Sequence, residues 1–366
     1  MGSDKNNGLI IDSLDYLMPF LETGRVIPIV SNSFRLEEIF RDDRELSAML
    51  AEPPEHYDEV RTFDQQLTKK WAEKIEYPMS DSHNLARVAQ YRQVVSGFPE
   101  GARIEYIKFL IDRLLQINED DQDYKDIVAK IRNRSQTLLF SDVVQQLDYP
   151  RFPQGIEDPL RLLAKLPLKI YITTGYSNFL ERALIAEEKI PRTQLCFCRV
   201  GKSHIRAEHL PDRDFKPTVT NPAVVHLYGL EDYTNTLILS EDDYINFLLN
   251  AVEEINSQDY FPSYLRGALP ESSLILLGYH MQDWDFRTLF RFGSRVRKIE
   301  AVDDEITPSI AIQFKPTLGR KEIEARSLQY LEKYFAKRNF RVKWTGAEEF
   351  VYELWDTWSR YIRGHG

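Results

Sequence analysis

The stretch at residues 168–184 constrains this chain most, because its spacing changes from strand-like to helical within a few residues. Its first half alternates apolar and more polar side chains, as buried strands do, and ends at the hydroxyls of Thr173 and Thr174. After Gly175 the apolar side chains recur at helical spacing. A strand, a small polar turn and a helix N-terminus together present backbone N–H groups to an anionic ligand. An ordinary crossover of a parallel sheet explains the pattern equally well without a ligand.

The same arrangement occurs twice more along the chain. A predicted strand at Val26–Val30 leads into the polar turn 31–33, and an all-apolar strand at Leu274–Leu277 leads into a turn at 278–283. Further strands are predicted at 224–228, 236–239, 309–314 and 340–344, with helical patterns between them. The alternation predicts an α/β fold, a Rossmann-like parallel sheet flanked by helices. Ligands of such sheets collect at the carboxyl ends of the strands, so the three turns are expected to face one site.

Between residues 57 and 150 the sequence has little strand signal and a long succession of helical patterns. We therefore predict that residues 1–56 form the first part of the Rossmann-like domain, that 57–150 form a helical insertion subdomain, and that 151–366 complete the domain. Residues 191–222 are rich in proline and charge and are interpreted as an irregular excursion. This excursion holds Cys196, Cys198, His204 and His209, but their spacing matches no common zinc pattern, so no metal is expected.

Composition limits the cellular environments and the binding partners that we expect for this chain. No uncharged apolar run in the 366 residues is long enough for a membrane span, and the start of the chain has no secretory signal pattern. Two cysteines one residue apart fit a reducing, cytoplasmic location. The formal net charge of -10 disfavours direct nucleic-acid binding, which needs a basic surface to neutralise phosphates.

Five segments, in this order along the chain, resemble motifs of a known protein family: RVIPIVSNSF, ITTGYSNFLERAL, VVHLYG, LSEDDYINFL and LILLGYHMQDWDFRTLF. Together they resemble the SIR2-like domain family of bacterial proteins, whose members include NAD-cleaving effectors of antiphage defence. The resemblance implies a Rossmann-like sheet with a helical subdomain and NAD as substrate or ligand. The residues that it implies for nucleotide binding are those of the ligand-facing turns: Ser31, Asn32, Ser33, Thr173, Thr174, Gly175, Tyr176, Gly229, Gly278, Tyr279, Asp283 and Asp285.

The chain departs from active members of that family at three turns. Their Gly-Ala-Gly loop is Ser31-Asn32-Ser33 here, their catalytic Asn is Gly175 with Ser177 at the Asp position, and their catalytic His is Tyr228. Cleavage of the nicotinamide bond develops positive charge on the ribose, which needs a group to orient the reactants and one to accept a proton. Glycine can do neither, and a phenol, with an ordinary pKa of about 10, is a poor base near neutral pH.

Other side chains could substitute for the missing groups. We take His226, Tyr228 and Asn178 as the catalytic candidates, although a buried histidine with satisfied partners is the favoured explanation of His226 and helix capping that of Asn178. Asn32 could hold a ribose or phosphate oxygen or only stabilise its turn. Asp283 and Asp285 could contact a ribose hydroxyl or cap the helix that follows them.

Two functions remain open at this point. The first is an NAD+ hydrolase that releases nicotinamide and ADP-ribose, acting as a bacterial antiphage or abortive-infection effector, as a homo-oligomer or with a partner protein of a defence system. The second is a catalytically inactive module that senses a nucleotide of the NAD or ADP-ribose type, or that serves as an assembly scaffold.

Overall fold

A parallel sheet forms the centre of the protein. The structure, a computed structural model, describes residues 13–51, 62–133, 138–196, 205–212, 214–257, 262–280, 284, 286–289, 309–313, 321–337 and 339–365. These residues form seven strands, all parallel, in the spatial order β3-β4-β2-β1-β5-β6-β7. The strands are β1 (Val26–Val30), β2 (Ile170–Thr173), β3 (Arg192–Leu195), β4 (Ala223–His226), β5 (Ser273–Leu277), β6 (Ser309–Gln313) and β7 (Phe340–Trp344). The predicted α/β, Rossmann-like fold class is confirmed.

Helices cover both faces of the sheet. They are α1 (Met18–Glu22), α2 (Asn32–Phe40), α3 (Arg44–Ala51), α4 (Phe63–Lys74), α5 (Leu85–Ser96), α6 (Pro99–Ile117), α7 (Lys125–Arg132), α8 (Phe140–Gln146), α9 (Pro159–Lys165), α10 (Phe179–Ala186), α11 (Glu241–Ser257), α12 (Ser263–Glu271), α13 (Lys321–Ala336) and α14 (Ala347–His365). Within the described part of the chain, none of these helices has the length and apolar character that a membrane span requires.

The described residues between β1 and β2 form helices and no strand, as the helical patterns predict. These helices do not build a separate core. Leu67 and Trp71 of α4 and Tyr106 of α6 belong to the same hydrophobic cluster as Ile27 and Ile29 of β1. The insertion is therefore packed directly on one face of the sheet, while the other face is covered by a second cluster that includes residues of α1, α9 and α14. The predicted domain limits stay a prediction.

Two sequence interpretations are wrong, and the strand predicted at 224–228 instead spans Ala223–His226, which leaves Tyr228 beyond its end. The sequence predicts a strand at residues 236–239, but a 3-10 helix runs from Glu231 to Thr236 and residues 237–239 form no strand. Ile238 makes a single strand-like contact, from its N–H to the carbonyl of Tyr228. The predicted excursion at 191–222 instead begins with the edge strand β3, which pairs with β4. That strand is short and only half buried, so its hydrophobic pattern is weak.

Candidate functional site

The carboxyl ends of four strands lie at the same level of the sheet. Val30 of β1 is in register with Thr173 of β2 on one side and with Leu277 of β5 on the other, and Thr173 is in register with His226 of β4. After β1 the chain turns toward β2, whereas the strands that follow β5 lie on the opposite side of β1. This reversal opens the crevice in which doubly wound sheets bind ligands.

Ser31 joins the turn after β1 to the turn after β5. Its Oγ donates to the carbonyl oxygen of Gly278 at 2.6 Å and accepts from the N–H of Phe34 at 3.1 Å, which caps helix α2. Gly278 has φ +74°, and a Cβ there would lie 2.5 Å from the Ser31 Oγ. The position therefore needs glycine both for its backbone conformation and for the close approach of the two turns.

The turn after β2 is held by its own threonines. The Oγ1 of Thr173 donates to the carbonyl of Val30 at 2.9 Å and accepts from the N–H of Gly175 at 2.8 Å. The hydroxyls of Thr174 and Tyr279 are 2.9 Å apart, and both side chains are buried. The predicted turn residues therefore do come together, but these three hydroxyls are engaged with one another or with backbone.

Asn32 and Ser33, at the start of α2, face the helical insertion. The Oδ1 of Asn32 accepts from the N–H of Tyr176 at 3.4 Å, which connects the turn after β1 with the turn after β2. The Oγ of Ser33 donates to the Oδ2 of Asp64 at 2.9 Å. Asp64 lies in α4, so the insertion contributes a carboxylate at the edge of the sheet.

A cleft of about 100 Å³, which we call the insertion cavity, lies between these turns and the insertion. Its lining includes Asn32, Ser33, Asp64, Tyr106, Tyr176 and Trp284. Ligand cavities commonly measure about 300–1,000 Å³, so this cleft as it stands is too small for a whole dinucleotide.

A second cleft of about 200 Å³, which we call the acidic cavity, lies along a different face of α2. Glu37 and Glu38 of α2 line it together with Gly278, His280 and Gln313 at the ends of β5 and β6. Burial raises the pKa of Glu38 to about 8 despite its contact with Arg35, and burial also raises the pKa of Glu37. Carboxyl groups in such a cavity suit the hydroxyls of a ribose and disfavour phosphates.

His226 lies behind the Thr173–Tyr176 turn and does not line either cavity. Its side chain is 0% exposed; Nε2 is 2.9 Å from the Oε1 of Glu181, and Nδ1 is 3.2 Å from the carbonyl of Gly175. Burial by itself would lower the pKa of His226, but the Glu181 carboxylate outweighs it and the pKa is raised. Burial acts to raise the pKa of Glu181, and the histidine more than offsets it. The two side chains form a buried ion pair.

Tyr228 is also buried, two residues beyond the end of β4. Its hydroxyl is 2.5 Å from the Oγ1 of Thr288, and its ring meets Tyr244 and Phe247 edge-on. The next residue, Gly229, has φ +86°, and a Cβ there would meet the carbonyl oxygen of Thr236 at 2.4 Å. The turn is therefore tightly packed around the side chain of Tyr228, and its backbone conformation requires glycine at position 229.

Ser177 and Asn178, after the β2 turn, face structural partners. The Ser177 hydroxyl bonds to the carboxylate of Glu231, which also accepts from the N–H groups of Phe140 and Ser141 at the start of α8. Asn178 occupies the N-cap position of α10 but makes no side-chain cap, and its Oδ1 accepts from the Nε of Arg182 at 2.7 Å. The catalytic roles considered for His226, Tyr228 and Asn178 stay predictions.

Some predicted residues lie outside the described part of the chain, namely Asp283, Asp285, Cys198 and His204. Cys196 is buried at the end of β3, and the ring of His209 packs against Tyr233. Among the described residues, no group of histidine, cysteine and carboxylate side chains is arranged to hold a metal ion.

The sequence interpretation missed the contribution of the helical insertion to the site. Asp64 and Tyr106 reach the cleft through packing of α4 and α6, far along the chain from any strand end. Thr62 followed three residues later by Gln65 has the spacing of a capping box, which locates a helix start but not what the helix faces.

Part of the chain matches the model of a known protein family. Residues 169–341 match the family model described as the SIR2-like domain. The matched range begins just before β2 and includes the turns that hold Gly175, Tyr228 and Gly278. No curated protein matches the chain significantly.

Proposed function

This chain contains a domain of the SIR2-like family, and on that premise we propose that it binds NAD or a closely related adenine nucleotide at the carboxyl edge of the sheet. One observation supports the proposal most strongly. The ends of β1, β2 and β5 meet beside the N-terminus of α2, and a cleft runs along each of two faces of that helix. A helix N-terminus favours the pyrophosphate, and the acidic cavity favours a ribose. Because both clefts are small, we expect them to widen when the nucleotide binds.

We further propose that the domain acts as a nucleotide sensor and not as a fast hydrolase. The catalytic Asn and His positions of the active proteins that the sequence resembles are Gly175 and Tyr228 here, and the Tyr228 hydroxyl is already bonded to Thr288. His226 is occupied by Glu181. Loss of one general acid or base typically costs about 10²–10⁴-fold in rate, so NAD should be bound far faster than it is cleaved.

A second candidate function is NAD+ hydrolysis with a catalytic group from the insertion. One observation favours it: Asp64 places a carboxylate in the insertion cavity, where it could stabilise positive charge on the ribose. Such an enzyme would fit the antiphage effectors that the sequence resembles, and its activation would depend on assembly with further copies or with a partner protein.

The test measures thermal unfolding of the full chain with NAD and with ADP-ribose, and nicotinamide release in parallel. A ligand at 100 times its dissociation constant stabilises a protein by about 2.7 kcal/mol, which thermal unfolding detects easily. Stabilisation without release supports the sensor, and release supports the hydrolase. No stabilisation by either nucleotide would contradict nucleotide binding and leave the scaffold function.

An isosteric variant identifies the site. Asn32→Asp keeps the acceptor that Tyr176 uses and adds a negative charge at the N-terminus of α2, which a helix tolerates well. The same charge repels a pyrophosphate, so nucleotide affinity should fall by about tenfold or more. The control is Gln145→Glu, the same amide-to-acid change at a partner of Arg182 outside both cavities, which should bind as the wild type does.

A further inference from the structure

We propose that the helical insertion, through Tyr106 and Asp64, holds the carboxamide-bearing ring of the nucleotide in the insertion cavity. This inference rests on the proposed function and names the part of the ligand that the cavity recognises. It assigns the recognition to α4 and α6, which lie outside the range that the family model matches.

The hydroxyl of Tyr106 is the first observation. Tyr106 lines the insertion cavity and is 1% exposed, yet its hydroxyl has no hydrogen-bond partner among the described residues. Its ring is fixed against Trp71, with the ring centroids 5.0 Å apart. Burial raises the pKa of Tyr106 well above its ordinary value, so the group remains a hydrogen-bond donor. Buried hydroxyls nearly always have partners, so an unpaired one on a residue that lines a cleft is available to a ligand acceptor once the cleft widens.

Asp64 supplies the complementary acceptor. Its Oδ2 accepts from Ser33 at 2.9 Å and its Oδ1 from the hydroxyl of Thr62, while its backbone carbonyl accepts from Thr68 at 2.8 Å. These contacts fix the carboxylate in place. A carboxylate offers about four acceptor sites, so it retains capacity for an N–H₂ group of a ligand. One donor hydroxyl and one acceptor carboxylate match the C=O and N–H₂ of a primary carboxamide.

The walls and the size of the cavity suit a single flat ring. Tyr244 and Trp284 are stacked with a centroid distance of 6.3 Å and an interplanar angle of 22°, and Tyr176 is held by its hydroxyl on the carbonyl of Ile238. A closed cavity of about 150 Å³ is known to hold benzene, so this cleft of about 100 Å³ takes a six-membered ring only by using its open side, and it disfavours a bicyclic base. Nicotinamide has this size and carries the carboxamide.

The turn after β2 does not supply this carboxylate. Ser177 in that turn directs its hydroxyl to the buried Glu231. Among the described residues that line the insertion cavity, Asp64 of α4 provides the carboxylate.

The experiment compares dissociation constants of NAD and ADP-ribose, which lacks the nicotinamide ring, by calorimetry on the full chain. The variants are Tyr106→Phe and Asp64→Asn, and the control is Tyr91→Phe, the same change on a tyrosine that packs against Tyr77 outside the cavity. Each cavity variant should weaken NAD binding by about five- to tenfold and leave ADP-ribose binding within about twofold, since one hydrogen bond is lost. Tyr91→Phe should change neither constant.

Two results overturn the inference while leaving the proposed function intact: equal affinity of the wild type for both nucleotides, or equal weakening of both in the cavity variants. Failure of the wild type to bind either nucleotide overturns the proposed function and this inference with it. Tyr106→Phe also makes a prediction about the melting temperature of the protein without a ligand. Because it removes an unpaired buried hydroxyl, the melting temperature of the unliganded protein should stay the same or rise, whereas a fall would show that the hydroxyl serves the fold.

Discussion

The Nε2 of His226 lies 2.9 Å from the Oε1 of Glu181, and both side chains are buried beneath the ligand-facing turn after β2. Thr193 also donates to Oε1 of Glu181, at 2.7 Å, and the Nδ1 of His226 contacts the carbonyl of Gly175. The pair thus supports the turn from behind.

This pair predicts a pH dependence of stability. The raised pKa of His226 contributes stability that is fully present below the ordinary histidine value of about 6.5 and is lost as pH rises through the raised value. The lowered pKa of Glu181 contributes stability that is present above about 4.3 and is lost on acidification. His226→Gln should cost about 3–5 kcal/mol at pH 6 and less at pH 9, measured by urea unfolding at both pH values. An equal cost at both would show that the histidine is neutral in the folded protein.

Gly278→Ala should destabilise the fold by about 2 kcal/mol or more. The substitution forces a side chain into a backbone with positive φ and places its Cβ against Ser31 and Phe34. The matched control is Gly267→Ala in the middle of α12, where a Cβ meets nothing within 4 Å and should stabilise the helix by about 0.5–1 kcal/mol. Urea unfolding of both variants checks the difference in sign. A neutral Gly278→Ala would mean that the two turns can separate.

Asp243→Ala should cost about 1–2 kcal/mol of unfolding free energy. The Oδ2 of Asp243 accepts from the N–H groups of Leu239 and Ser240 at the start of α11, and its Oδ1 is 2.6 Å from the Nη2 of Arg103 in the insertion. Its neighbour Asp242 offers the control, because its contact with Gln90 is exposed and Asp242→Ala should stay within about 0.5 kcal/mol. Equal effects in thermal unfolding would place the stabilisation in the helix dipole and not in the cap.

Gly175→Asn combined with Tyr228→His should create nicotinamide release where the wild type shows none. Gly175 does not have positive φ, and a Cβ there would lie 3.0 Å from the Thr173 hydroxyl, which must shift by a few tenths of an ångström. The double change puts an amide and an imidazole at the positions used by the active proteins that the sequence resembles, and such groups typically contribute about 10²–10⁴-fold. Nicotinamide is measured by chromatography, with Gly175→Ala as the control for the added Cβ. Intact NAD binding without release would mean that other differences prevent catalysis.

Much of the sheet is predictable from the sequence, because the central strands are buried at every position and the edge strand β7 begins with alternating buried and half-buried side chains. Val26–Val30 and Phe340–Trp344 have the predicted bounds, and β5 and β6 differ by one residue at one end. β-branched and apolar runs of this kind carry their own signal. The edge strand β3 does not, since its first half is only partly buried.

The run at residues 237–239 shows the opposite error. Leu237 and Leu239 are buried, so the stretch looks like a strand, but burial here comes from packing beneath the insertion and not from a sheet ladder. Periodicity reports which side chains are buried and cannot say against what.

The candidate site also has a part that the sequence predicts and a part that it does not. The turns that carry Ser31, Thr173 and Gly278 could be expected at one edge, because parallel strands end together. The convergence of Asp64 and Tyr106 on that edge could not, because it depends on how two helices pack on the sheet face. Likewise, nothing in the local sequence of His226 indicates Glu181, which lies 45 residues earlier in α10.

The hydrophobic cluster that runs without interruption from β1 into α4 and α6 has a consequence for how the molecule could be taken apart. Excising residues 57–150 would not release a smaller, self-sufficient sheet domain, because it would leave Ile27, Ile29 and Phe40 facing water. The same helices that form one wall of the insertion cavity hold the sheet together, so the protein cannot lose that wall and keep a stable sheet.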